Sequence, residues 1–272
     1  MDTTTDKVIY CPKCGSFHLV KNGKAKNHQR FICKDCQHHF TEYSNTIVNL
    51  TKKNIQLWKN YIKLMFDGFS IKDIANELGI CIQTSFRWRH KILLVLEGKF
   101  MNDILKGIVE TDETLILQSH KGKHIEGIRG RTRGGIAHYR GQSHEQIGIL
   151  VAVDRKKNAV SQIYGTGKIS FQNVKDILGG RVKAKSVLIT DGCRAYNDFA
   201  EENNFELIKL VKTHKQGIYH INNVNNYHSL LKEFLRQFKG ISTKYLNKYL
   251  AWFKFVNQKN DVNFLFNELI LG

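Results

Sequence analysis

Two aspartates and one helical stretch carry the residue types of a phosphoryl-transfer site. Asp112 lies in GIVETDETLIL and Asp191 in SVLITDGCRAY, within or at the end of apolar, strand-like runs. Downstream, NNVNNYHSLLKEFLRQF at 222–238 reads as a helix. It places Asn225, His228 and Lys232 on one face, because positions i, i+3 and i+7 stack over two turns. Ser229 and Arg236 flank that stripe. Tyr227, Leu230, Leu231, Phe234 and Phe238 form an opposite, apolar face able to dock on a sheet. Two carboxylates on strands and a polar group on a later helix are the donors of a two-metal site. The alternative is an ordinary surface helix with a solvated face. Mg2+ suits carboxylate and amide oxygens, and nothing in this set offers a catalytic zinc site. Alternation along the strand puts Glu110 on the face of Asp112 and Glu113 on the other, which makes both second-choice ligands.

A second metal signal lies at the N-terminus. Cys11, Cys14, Cys33 and Cys36 form C-x2-C-x18-C-x2-C, the spacing of a closed, structural zinc site. Gly15 fits the turn after the first pair, and Phe31 and Phe40 bracket the second with a small core. Four thiolates fill the site, so His18, His38 and His39 read as surface or DNA-facing residues. The βαβ pattern of a redox CxxC protein is missing. Lys13, Lys21, Lys24, Lys26, Arg30 and Lys34 make this ribbon a plausible DNA contact.

These groups need elements to hold them. Residues 51–98 carry helical periodicity: Ile55, Trp58, Ile62 and Met65 recur at helix spacing, and Gly68 stops the run. Ser70 caps a helix at IKDIANEL with Asp73 as its capping-box partner, Gly79 turns the chain, and a second helix starts near Ile82. This is a helix-turn-helix pattern whose second helix exposes Gln83, Thr84, Arg87 and His90 to bases or phosphates. Cys81, in the turn, reads as a small buried residue.

Next come a strand at 107–117, a basic Gly-rich loop at 119–145, and a hairpin of 146–153 and 159–164 about the turn Asp154–Asn158. A helix at Phe171–Leu178 ends at Gly179-Gly180, and a central strand at Ser186–Thr190 leads to Asp191. A further strand spans Phe205–Val211. After the helix at 222–238, a helical stretch at 240–257 can be capped by Ser242 and packs through Tyr245, Leu246, Tyr249 and Trp252. The tail NFLFNELILG closes this domain. The fold class is α/β, a mixed sheet with flanking helices. The boundaries are 1–45 for the ribbon, 46–105 for the helical domain and 106–272 for the domain with the aspartates.

The 272 residues hold 42 Lys+Arg against 24 Asp+Glu, a formal net charge of +18, which favours a polyanionic partner, nucleic acid before an acidic membrane surface. No apolar run reaches the roughly 18–20 residues that span a bilayer, and MDTTTDKVIY is no signal peptide. A soluble protein of the cytoplasm is the expectation.

On VETDET, ITDGCRAY, the long block HINNVNNYHSLLKEFLRQFKGISTKYLNKYLAW, the paired CxxC motifs and the helix-turn-helix, nearly the whole chain resembles insertion-sequence transposases of the IS1595-type, ISXO2-like group of the DDE superfamily. The resemblance implies a ribonuclease-H-like catalytic domain. It implies Asp112, Asp191 and Asn225 as ligands of two Mg2+ or Mn2+ ions, with Lys232 as the basic residue that follows. Asn225 stands where the usual pattern has Glu; its amide oxygen can ligate but carries no charge, and His228 could share the role. Arg236 would join Lys232 on the DNA backbone. The implied partners are double-stranded DNA, as terminal repeats and target, and further copies of the chain on DNA. The implied setting is the bacterial nucleoid, with no membrane. Two other readings stand: a catalytically decayed, transposase-derived DNA-binding protein, and a ribonuclease-H-like DNA nuclease.

Overall fold

The computed structural model describes residues 9–25, 28–44, 46–49, 51–122, 126, 135–139, 141–211, 215–238 and 240–270. Lys26 and residues 123–125, 127–134 and 140 of the basic loop lie outside them. The chain divides into two compact units, one of residues up to Ile92 with the tail from Asn260, the other of Leu93–Lys259.

The first unit opens with a three-stranded antiparallel sheet, β1 (Leu19–Ala25), β2 (His28–Cys33) and β3 (His39–Thr41). The two cysteine pairs sit on matching knuckles. The N–H of Gly15 donates to the carbonyl of Cys11 and that of Gln37 to the carbonyl of Cys33, both at 2.9 Å. Each knuckle ends in the left-handed region, with φ +75° at Gly15 and +57° at Gln37. Phe31 and Phe40 are buried and stacked, with centroids 5.6 Å apart.

Three helices follow: α1 (Ile55–Phe66), α2 (Ile71–Glu77) and α3 (Ile82–Phe100). Residues 51–54 are not helical; Asn54 instead caps α1, accepting from the N–H of Gln56. Ser70 caps α2 as its sequence predicts, accepting from the N–H of Asp73 and donating to that residue's carboxylate. Trp58 and Trp88 stack at 3.8 Å to join α1 to α3, and the Tyr61 hydroxyl donates to the Ser85 carbonyl. Cys81 is exposed, not buried, because the α2–α3 turn points its thiol outward to the Thr84 hydroxyl, 3.0 Å away.

The second unit is built on a five-stranded sheet. β4 (Ile108–Leu117), β5 (Gln146–Asp154), β6 (Ala159–Thr166), β7 (Val187–Thr190) and β8 (Glu206–Lys209) lie in the order β6-β5-β4-β7-β8. The first three pair antiparallel, and β7 and β8 run parallel to β4. This is the ribonuclease-H-like mixed sheet that the resemblance implies. Alternation along β5 separates two cores: Leu150 and Ala152 pack with α4 (Phe171–Leu178) and α5 (Ala195–Asn203), while Ile147, Ile149, Val151 and Val153 pack with α6 (Asn222–Arg236) and α7 (Leu246–Asn257). A short pair of strands, β9 (Lys215–Gln216) and β10 (Tyr219–His220), leads into α6.

Three expectations are corrected. Ser242 does not cap a continuous helix; a 3-10 turn at Thr243–Tyr245 precedes α7, and the Ser242 hydroxyl is turned to the Ser119 carbonyl at 3.5 Å. The strand expected over Phe205–Val211 shortens to β8, since Phe205 packs into the core beside α5 and Val211 is exposed. The tail forms α8 (Val262–Ile270), which packs on α1 rather than on the sheet: Lys59 lies over the Phe266 ring at 4.5 Å, and Ile47 N–H donates to the Leu269 carbonyl. Its apolar face needs a partner surface, and α1 supplies one.

Candidate active site

The β4–β7 register brings the aspartates together. Ile108, Val109 and Glu110 pair with Val187, Leu188 and Ile189, so two residues further along Asp112 is level with Asp191. Ile108 and Ile116 of β4 and Ile189 of β7 pack into the α6–α7 core, which gives the α6 side to the alternate positions Asp112 and Asp191. Asp191 stands just past β7, at the carboxyl end where open α/β sheets place ligands. Its carboxylate accepts from the Cys193 N–H at 3.2 Å and the Thr190 hydroxyl at 3.3 Å. Gly192 turns the chain there with φ +105°, and a Cβ at that position would meet Val211 at 2.8 Å.

Burial pushes the Asp112 carboxyl up to about 6, with the charge of Asp191 adding to the rise and that of Lys232 opposing it. Its Oδ1 accepts from the Glu113 N–H at 2.8 Å. Glu113, on the other face, is pushed up to about 7, first by burial, and accepts from the Tyr196 hydroxyl. Asp112 and Asp191 on the α6 side, and Glu113 on the other face of β4, thus carry charges that oppose one another, and a divalent cation at the two aspartates would relieve them.

The α6 stripe meets this set unevenly. His228 is buried, with Nδ1 3.8 Å from Oδ2 of Asp112, and burial pushes its imidazole down to about 4, helped by Lys232. It is therefore neutral at pH 7, and its Nε2 is buried without a hydrogen-bond partner. Asn225, Ser229, Lys232 and Arg236 are exposed. Tyr227 and Leu231 reach the core as the periodicity predicts, whereas Leu230 is more than one-third exposed, at the edge of the apolar face.

Glu110 is no ligand candidate in this geometry. It is wholly buried, paired with Arg155 and bound to the start of α6. Its acidic type and strand parity were visible in the sequence, but its partners lie too far along the chain to be read there.

The ribbon cysteines do come together. Among the described residues they are the only set of three or more His, Cys, Asp or Glu whose ligand atoms all lie within 4.8 Å of one another. Cys11 and Cys36, and Cys14 and Cys33, have sulfurs 3.5 Å apart, close to the roughly 3.8 Å edge of a tetrahedron with 2.3 Å Zn–S bonds. The donor set fits zinc. His18 is turned to Asp35 at 3.2 Å and His38 stacks on Phe40, so neither competes. On α3, Gln83 and Arg87 are exposed, Thr84 is half-buried, and His90, expected to be exposed, is half-buried against the Phe86 ring at 4.3 Å.

The model of the ISXO2-like transposase domain matches residues 104–257, more than half of the chain. The chain belongs to the ISXO2-like transposase family. The matched span contains both aspartates and the whole of α6. The model of the InsA N-terminal domain, a zinc ribbon, matches residues 7–37, which hold all four ribbon cysteines. A relative from Halobacterium salinarum, an uncharacterized protein in transposable element ISH50, is 25% identical over 256 residues, covering 90% of this chain and 84% of its own. Similar solved structures include the Mos1 strand transfer complex (12% identity, TM-score 0.31, 80% of this chain and 74% of that one). The mariner Mos1 paired-end complex with Mg is another (12% identity, TM-score 0.33, 78% and 75%). No helix among the described residues is long and apolar enough to cross a membrane.

Proposed function

We propose that this family member is an active DNA transposase that binds the terminal repeats of its element and cleaves and joins strands at Asp112, Asp191 and α6. The observation that carries this reading is the β4–β7 register, which sets the two carboxylates level beneath the helix. Asp112 and Asp191 would hold two Mg2+ or Mn2+ ions, and Asn225 would add an amide oxygen, with His228 as the other candidate ligand. When bound, the ions acidify the attacking water or 3′-hydroxyl and take up charge on the leaving oxygen. Lys232 and Arg236 are exposed along α6 and would hold the phosphate backbone beside the carboxylates. Lys232 also lowers the cost of ionising Asp112.

Binding is assigned to the first unit. The four cysteines would hold one structural Zn2+, and Lys13, Lys21, Lys24 and Lys34 are exposed around it. Gln83 and Arg87 would reach base edges, and Thr84 and His90 the backbone. Pairing of two DNA ends calls for more than one copy of the chain, acting at the nucleoid in the cytoplasm.

The test is cleavage of duplexes carrying the terminal repeats in Mg2+ and in Ca2+. Cleavage in Mg2+ that Asp112→Ala abolishes supports the proposal. The missing charge at Asn225 favours a decayed, binding-only protein as the second reading; specific binding without cleavage would establish it. Cleavage with no preference for the terminal sequence would point to a structure-directed nuclease.

A further inference from the structure

We infer that Glu110 is a positioning residue for the Asp112–Asp191 site, an inference that rests on the function proposed above. The N-terminal N–H groups of a helix need acceptors, and α6 has Ile221 at its N-cap, a side chain that can accept nothing. Glu110 supplies the acceptors from the sheet. Its Oε2 accepts from the N–H of Asn223 at 2.7 Å and of Val224 at 3.1 Å, and its Oε1 accepts from the Asn223 amide at 2.6 Å. The carboxylate also faces the positive end of the helix dipole.

A fully buried carboxylate needs compensation. Arg155, in the β5–β6 turn, stands 2.8 Å from Glu110 Oε1, and His220 of β10 stands 3.3 Å from the same oxygen. Arg155 also donates to the Ile218 carbonyl at 3.0 Å. Two segments distant from β4 in sequence, the β5–β6 turn and the run from β10 into α6, therefore converge on one side chain.

The consequence reaches Asp112. Glu110 and Asp112 share a face of β4, about 6.6 Å apart along the strand. The five residues from Asn223 to His228 advance α6 by about 7.5 Å. With Asn223 clamped at Glu110, His228 comes level with Asp112, where its ring is found. The apolar contacts of Val224, Tyr227 and Leu231 fix how deep the helix sits, but such contacts are not directional and resist sliding weakly. The hydrogen bonds to Glu110 are directional, and they set where the stripe of Asn225, His228 and Lys232 stands over the carboxylates.

The test compares the full-length wild type, Glu110→Gln and Leu178→Ala, which opens a cavity in the core on the other side of the sheet. Three quantities are read: kcat for strand cleavage of a terminal-repeat duplex in Mg2+, the urea midpoint, and amide exchange at Asn223 and Val224. In Glu110→Gln, exchange at both amides should rise about tenfold or more. Its kcat should fall about 10²-fold, the loss that a misplacement of about 1 Å brings. DNA affinity should hold within about twofold. Leu178→Ala should lower the urea midpoint at least as far yet keep kcat within about twofold. Wild-type kcat in Glu110→Gln, or an equal kcat loss in Leu178→Ala, would overturn the inference. If the wild type cleaves nothing, the proposed function falls and the clamp is judged by exchange alone; wild-type protection of both amides in Glu110→Gln then overturns it.

Discussion

Nδ1 of His228 stands 3.8 Å from Oδ2 of Asp112, and the two groups do not form an ion pair at neutral pH. Burial holds the imidazole down to about 4 and the carboxyl up to about 6. At pH 7 a neutral ring faces an ionised carboxylate that has lost most of its hydration. Asp191 worsens the position of that carboxylate, and Lys232 partly relieves it.

Asp112→Asn should therefore stabilise the protein when no divalent metal is added. A carboxyl whose folded pKa exceeds its unfolded value carries no penalty below the unfolded value, 3.8 here, and the full penalty above the folded one, about 6. Discounted for partial solvent access, the gain at pH 8 is of order 1–3 kcal/mol. It should hold from pH 8 down to about 6 and shrink as the pH falls on to about 4. Thermal melts of both proteins across that range, without added Mg2+, provide the check. Equal melting temperatures at the alkaline end would refute the account of Asp112.

Cys33→Ser, or chelation, should unfold the ribbon and weaken binding to terminal-repeat DNA. The ribbon core holds little beyond Ile9, Leu19, Phe31 and Phe40, too little to fold a three-stranded sheet without a metal. Native mass spectrometry should find one zinc per chain in the wild type and none in the variant. A wild-type protein free of zinc would count against the four-cysteine site.

Much of this was legible in the sequence, and the limits have physical causes. The helix at Phe171–Leu178 is read to the residue with Gly179-Gly180 as its stop, and the structure adds Ser170 as its cap. The hairpin β5–β6 is read from an apolar run broken at Asp154–Asn158. Periodicity also gives the polar stripe of α6, but not how the helix is rolled on the sheet. That roll buries His228 and leaves Asn225 in solvent. Glu110 was legible as an acid on the face of Asp112, yet its partners Arg155, His220 and Asn223 are local to nothing in β4. The tail shows that an amphipathic stretch has a face but no stated destination: α8 could have covered the sheet and packs on α1 instead.

Arg87→Ala should reduce discrimination between terminal-repeat and random DNA. Arg87 is exposed on α3, while Arg89, two residues on, is buried with its guanidinium donating to the Phe69 carbonyl at 2.7 Å. Only the first is available to read a base, a contact worth about 1–3 kcal/mol. Titrations of both DNAs at one salt concentration are the measurement. An equal loss of affinity for both would make Arg87 a phosphate contact, and unchanged binding would remove α3 as the reading helix.

The last prediction separates Asn225 from His228. A ligand to a hydrated ion must be reachable from the cleft, and of the two candidates on α6 the exposed one is Asn225. His228 is buried behind Asp112, where a neutral ring can fill space and orient the carboxylate. Asn225→Ala should then lose about 10³-fold or more in kcat, near the loss in Asp112→Ala. Terminal-repeat binding should survive, since it is assigned to the first unit. Asn225→Asp should keep part of the activity, because it retains a ligating oxygen and adds a charge the ions can accept. His228→Gln should cost about 10- to 100-fold, the range for a group that orients a ligand without being one. Near wild-type cleavage by Asn225→Ala, beside an inert His228→Gln, would make the imidazole the third ligand. It would mean that α6 rolls in the metal-bound protein to bring Nε2 out toward the carboxylates. Full activity in both variants would remove α6 from the site and leave two aspartates level on a sheet with no third leg.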